Sequence, residues 1–112
     1  MDDLLRRRRI LLVMLTTLAF RYPPGAEPEL VRLLRGWLDG WPGTGRIVFG
    51  MTRQGYDLQL TQYAHEGWRA TFYPMGRVHS ATTAVGSAWE RAPGRAVQRA
   101  AWATLVRAEA SA

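Results

Sequence analysis

The chain has no cysteine and no lysine, and only two histidines. Without cysteine there is no disulfide framework, no thiolate nucleophile and no cysteine-based zinc site; a cytoplasmic setting is expected. Without lysine, all 15 basic residues are arginine, a bias expected of a GC-rich, bacterial genome. Each cation is then a planar fork suited to phosphate and carboxylate. Also missing are a His-x-x-x-His pair, an Asp-x-Asp pair and a glycine-rich phosphate loop, so metal hydrolysis and nucleotide chemistry lack their usual signatures.

What remains is a folded, basic chain. Its 112 residues suffice for one domain with a core of its own, and 47% hydrophobic content with five tryptophans argues against disorder. The net charge of +6 favours an anionic partner: nucleic acid, a membrane surface or an acidic protein.

The first apolar stretch, Ile10 to Phe20, follows the run Arg6 to Arg9. Eleven residues are too few to span a bilayer. Asp2 and Asp3 ahead of the basic run, and Arg21 after the apolar one, argue against a signal peptide. A helix buried in the core or shared with another chain is expected. Because the segment is apolar around most of its circumference, a homodimer or hetero-complex through Leu11, Leu12 and Leu15 is predicted. The alternative is residues 1–25 as a separate interface or membrane-surface helix, with the arginines at lipid headgroups.

Pro28 suits a first helical position, and Leu30, Leu33, Leu34, Trp37, Leu38 and Trp41 keep the helical repeat. Trp41-Pro42-Gly43 is expected to end this helix. The stiff connector RYPPGA then makes the first two helices an antiparallel hairpin.

Residues 46 to 73 are predicted to be a three-stranded meander. Ile47, Phe49 and Met51 alternate with Arg46, Val48, Gly50 and Thr52. Gln54-Gly55 suits a two-residue hairpin loop, and His65-Glu66-Gly67 a three-residue one with Gly67 left-handed. This register pairs Arg53 with Tyr56, Ala64 with Trp68 and Leu60 with Phe72. It buries Phe49, Leu58, Leu60 and Phe72, and leaves Asp57, Gln59, Thr61, Tyr63, Arg69, Thr71 and Tyr73 on an open face, Tyr63 opposite Arg69 and Gln59 opposite Tyr73. Tyr63 and Tyr73 are expected to be accessible to solvent.

Residues 74 to 92 read as a loop in which Ala81 to Ala88 carries a weak strand signal. Pro93 opens the last helix, with Val97, Ala100, Ala101, Leu105 and Ala108 on its core face. Arg91, Arg95, Arg99 and Trp102 form a second stripe, suited to following a phosphate backbone with one stacking ring. His79 and Ser80 are adjacent, and no carboxylate is placed by sequence to orient either histidine, so a nucleophile-base pair has no third member.

The order helix, three strands, helix, ending in RAVQRAAWATL (Arg95 to Leu105), resembles the double-stranded-RNA-binding domain. Aligned on Ala96, Ala100 and Ala101, that family's lysine cluster falls on Pro93, Gly94 and Val97. GWRATFYPMG (Gly67 to Gly76) and APGRAVQRAAW (Ala92 to Trp102) together resemble HicB-like antitoxins, in which a sheet strand followed by Pro and Gly precedes a helix opened by Pro. This second resemblance covers residues 56–105 and implies a regulator that acts on a protein partner.

The fold expected is α+β: an N-terminal helical hairpin, a three-stranded antiparallel meander and a C-terminal helix on one sheet face, in a single domain of residues 1–112. The expected function is non-enzymatic binding or inhibition of a protein partner, antitoxin-like or blocking a nucleic-acid-handling machine. No cofactor, metal or catalytic residue is assigned. The partner-binding residues are Tyr63, Arg69, Tyr73, Arg91, Arg95, Arg99 and Trp102. Direct nucleic-acid binding through Arg95, Arg99 and the open face, and a small enzyme centred on His79, are the alternatives.

Overall fold

The computed structural model describes residues 3–19 and 41–111. The helix expected from Pro28, the RYPPGA connector and therefore the helical hairpin lie outside them. The described chain is an α+β fold: α1 (Asp3–Ala19), α2 (Trp41–Arg53), β1 (Tyr56–Tyr63), β2 (Gly67–Pro74), β3 (Gly86–Glu90) and α3 (Pro93–Ala110). The strands form one antiparallel sheet in the order β1-β2-β3, and α3 packs on one of its faces. No helix among the described residues is long and apolar enough to cross a membrane.

The predicted first strand is a helix. Ile47 and Met51, four residues apart, fit both an alternating and a helical pattern. The neighbours decide: Thr44, Ile47 and Met51 are buried and Val48 is half-buried, a spacing of i, i+3, i+4 and i+7, whereas Phe49 is 61% exposed. Trp41 therefore begins a helix rather than ending one, and the expected burial of Phe49 fails. Three glycines make α2 a poor helix by propensity, so packing sustains it. Gly50 leaves room for α1: a Cβ there would lie 3.3 Å from Leu11 Cδ2. Gly55 (φ +94°) closes the C-terminus of α2, its N–H donating to the Thr52 carbonyl at 2.9 Å. The glycine that suggested a hairpin is a helix cap.

The second hairpin forms two residues out of the expected register. Tyr63 faces Gly67, Leu60 faces Ala70, Leu58 faces Phe72, Thr61 faces Arg69 and Asp57 faces Tyr73. The three loop residues are Ala64, His65 and Glu66, and Gly67 (φ +94°) lies in the ladder instead of the loop. A shift of two keeps every side chain on its predicted face. β3 takes the place of the lost first strand, pairing Trp68 with Glu90, Ala70 with Ala88 and Phe72 with Gly86.

The core gathers Leu15, Ile47, Met51, Ala70, Phe72, Ala96, Val97, Ala100, Ala101 and Leu105, with Leu11, Leu12, Leu58, Leu60, Trp68 and Trp102 against it. Of the predicted interface leucines of α1, Leu15 is buried in this core, and Leu11 and Leu12 are half-buried against it. The arginine run is partly spent on fixing α1. Arg8 Nε donates to Glu109 Oε1 at 3.0 Å, tying α1 to the end of α3, and Arg7 Nε lies 3.1 Å from Asp3.

Pro93 starts α3 because its fixed φ suits a helix and forces Ala92 into extended backbone (φ −109°, ψ 138°). Alanines on the buried face let the helix approach the sheet closely. At Gly86 a Cβ would meet the Thr104 hydroxyl, the Thr104 nitrogen at 2.6 Å and the Ala100 carbonyl at 2.7 Å. Two of those three atoms are backbone and cannot move aside cheaply. Gly86→Val should therefore cost more than the roughly 1–3 kcal/mol of ordinary overpacking. Phe72→Ala should cost about 3–5 kcal/mol through the cavity it leaves. Urea denaturation of both variants measures these values.

Candidate functional site on the open sheet face

The sheet face away from the helices carries Asp57, Gln59, Thr61 and Tyr63 from β1, Arg69, Thr71 and Tyr73 from β2, and Ser87 and Trp89 from β3. Its two ends differ. At one end, the segment 75–85 folds back over the strands. Gly76 (φ +80°) starts the turn, the Thr83 hydroxyl donates to the Val78 carbonyl at 2.6 Å, and the Val85 N–H donates to the Phe72 carbonyl at 2.9 Å. So held, the segment lays His79 flat on Tyr73, with ring centroids 4.1 Å apart and an 8° angle between planes. Tyr73 is consequently 5% exposed and Thr71 4%, so the expectation of an accessible Tyr73 is corrected.

At the other end the face is open. Tyr63 stands opposite Gly67, and with no side chain there its ring leans across the middle strand to Trp89, 4.7 Å between centroids. Arg69, beside Trp89 in the ladder, places its guanidinium 5.5 Å from the Trp89 ring and 5.8 Å from the Tyr63 ring. Both lie within the reach of cation–π attraction. Tyr63 and Arg69 are brought together as predicted, though by a diagonal contact and not as direct partners. Trp89, 47% exposed, was missed by the sequence reading. The available signal was alternation continued past Ala88, which would have put Ser87 and Trp89 on the face of Thr71 and Arg69.

Between the two ends lies an open cleft of about 480 Å³, lined by Gln59, Arg69, Thr71, Tyr73, His79, Ser80, Ala81, Ala84 and Ser87. The Ser87 hydroxyl is 3.2 Å from the Ala70 carbonyl, to which it donates, and 2.9 Å from the Thr71 hydroxyl, which then donates to Ser87. Among the described residues no carboxylate lines the cleft. No group of three or more His, Asp or Glu side chains could hold a metal among the described residues.

The remaining predicted residues lie elsewhere. Glu90 shares the face of Ala88, the helix side, and its carboxylate meets Arg99 Nε at 2.7 Å. Trp102 packs against the core, Arg95 is half-buried and Arg91 is exposed just after β3. Tyr63, Arg69 and Tyr73 thus share the open face, while Arg99 and Trp102 lie on the helix side. An arginine stripe whose third member is ion-paired and whose ring is packed inward is poorly suited to following a phosphate backbone. Gly94 and Val97, where the RNA-binding resemblance puts two of its cations, are buried.

Gly67 controls the open end. A Cβ on it would lie 2.5 Å from the Glu90 carbonyl oxygen, and its φ of +94° disfavours any side chain. Gly67→Ala should cost more than about 1 kcal/mol and separate Tyr63 from Trp89. Urea denaturation and ring-to-ring NMR cross-peaks measure the two effects.

Comparison with known proteins finds no match to a family model, a curated protein or a solved structure.

Proposed function

We propose that the chain is a small, basic, non-enzymatic binding protein that docks on a protein partner through its open sheet face. The supporting observation is the Tyr63–Arg69–Trp89 cluster. Tyrosine, arginine and tryptophan are the residue types enriched where interface energy concentrates, and here they meet in one part-exposed patch. An isolated tryptophan at 47% exposure would need no explanation; one that holds a guanidinium with a second ring has the composition of an anchor. The action proposed is inhibitory, antitoxin-like or blocking a nucleic-acid-handling machine, in the cytoplasm of a bacterium. The strand Gly67–Pro74 and the helix opened by Pro93 are compatible with the antitoxin resemblance.

Tagged chain used as bait in host extract should retain the same protein with and without nuclease. Trp89→Ala should release it, while leaving the thermal melt within a few degrees. Purified chain titrated with generic duplex and single-stranded DNA and RNA at low salt should show no binding. Binding to any of them with a steep salt dependence would instead favour the nucleic-acid reading, since each phosphate neutralised releases a counterion. In that case replacing Arg95 and Arg99 together should reduce the log–log slope by about two units if both touch phosphate.

A contact through the first helix is proposed as well, moved from the leucines to Ile10 and Val13, which are 63% and 65% exposed. Light scattering at high concentration should report a dimer, or a stable complex with the partner, that Ile10→Asp with Val13→Asp dissociates. A wild-type chain that stays a monodisperse monomer without a partner, and binds its partner equally well with both substitutions, would refute this contact.

A further inference from the structure

The arginine of the open face lies beside two rings. The Tyr63 and Trp89 rings lie 5.8 and 5.5 Å from the Arg69 guanidinium carbon. Among the described residues no carboxylate pairs with Arg69, and no hydrogen bond engages its N–H groups. Most other cations in the described chain with a nearby acid have taken it: Arg6 and Arg7 share Asp3, Arg8 and Arg9 share Glu109, and Arg99 holds Glu90. Arg53 lies over Phe49 without one, and Arg69 lies beside two rings without one. Two aromatic rings limit the rotamers of a long side chain, so less freedom is lost when its edge meets a ligand.

The cleft beside it completes the argument. Its wall contains Gln59 and His79, both able to donate, and no acidic side chain. Thr71 and Ser87 spend their hydroxyl hydrogens on each other and on the Ala70 carbonyl, which keeps this part of the floor fixed. A guanidinium beside two rings, an amide on the same face and no carboxylate in the cleft wall suit a planar oxyanion.

We infer that Arg69 and the cleft form a carboxylate-recognition site, filled in the complex by an acidic side chain of the protein partner. This rests on the binding-protein reading above. The carboxylate meets the Arg69 guanidinium in a bidentate fork at its end of the cleft, with Gln59 on its flank, while Tyr63 and Trp89 supply the surrounding apolar contact.

The test uses the full chain, labelled with ¹⁵N, and simple anions as probes. Sodium acetate, inorganic phosphate and sodium chloride are titrated separately at constant ionic strength, following the Arg69 Nε–H and Trp89 indole signals. Acetate should shift both saturably with a Kd on the order of 10 mM, the strength of one charge-assisted fork contact. Chloride should not. Arg69→Lys keeps the charge but loses the fork, and should weaken acetate binding by about 10-fold. Arg69→Gln should abolish it. Because Arg69→Gln could also release the two rings, Gln59→Ala, which leaves the cluster intact, is the companion variant; it should weaken acetate severalfold with the Trp89 signal unmoved in the free protein.

The inference is overturned by an acetate response no different from chloride, or by one that survives Arg69→Gln. Saturation by phosphate but not by acetate overturns the carboxylate assignment. If acetate binding fails while partner capture still requires Trp89, the carboxylate site alone falls. If capture is independent of Trp89, the docking face falls with it.

Discussion

At Gly86 the backbone of β3 lies against the backbone of α3 with no side chain between them. This approach sets the thickness of the domain. It is possible because α3 faces the sheet with Ala96, Ala100 and Ala101, and because Gly86 has nothing to add from its side. Once α3 is seated so closely, Phe72 and Leu105 fill the space beside it and α1 and α2 complete the cover. α3 thus packs on the sheet, α2 against α3 and β1, and α1 against α3. Among the described residues the other sheet face is covered by the segment 75–85 alone, and that division leaves the surface on which the proposed docking rests.

Much of the sheet was readable because strand periodicity survives errors of an even number of residues. Leu58, Leu60, Ala70 and Phe72 share a face whether the loop ends at Glu66 or at Gly67. The last helix was readable for a similar reason: Pro93 and five apolar positions agree on one start and one face. The helix at residues 41–53 was not readable. Its two deeply buried residues, Ile47 and Met51, are four apart, a spacing shared by both periodicities, and its glycines and β-branched residues favour the wrong choice. Gly55 compounded the error, since a left-handed glycine closes helices as readily as it turns hairpins.

For the site, local pairs were legible and long-range cover was not. Tyr63 and Arg69 lie on adjoining strands, so alternation finds them. Tyr73 has the same parity, yet His79 conceals it, and nothing in the sequence of 75–85 announces that the segment returns to the sheet. The arginine stripe on α3 was correct as helical geometry. Its third member, Arg99, is ion-paired with Glu90, brought up by a strand the pattern barely marked. Charge counted along a chain says little about charge available at a surface. Of the four-arginine run at the start, each member has an acid within 4 Å.

Gly67 gives the open face a property of its own. A Cβ there would strike the main chain of β3 at Glu90 and Arg91, so the missing side chain lets β3 lie close against β2, where Trp89 meets Tyr63. A surface built in this way has an unusual genetic sensitivity. A residue that touches no partner, and contributes no atom beyond the main chain, can tolerate hardly any replacement. The aromatic positions flanking it accept exchange among tyrosine, phenylalanine and tryptophan far more readily. Variation among descendants of this chain should accordingly be freest at the rings and most restricted at the gap between them.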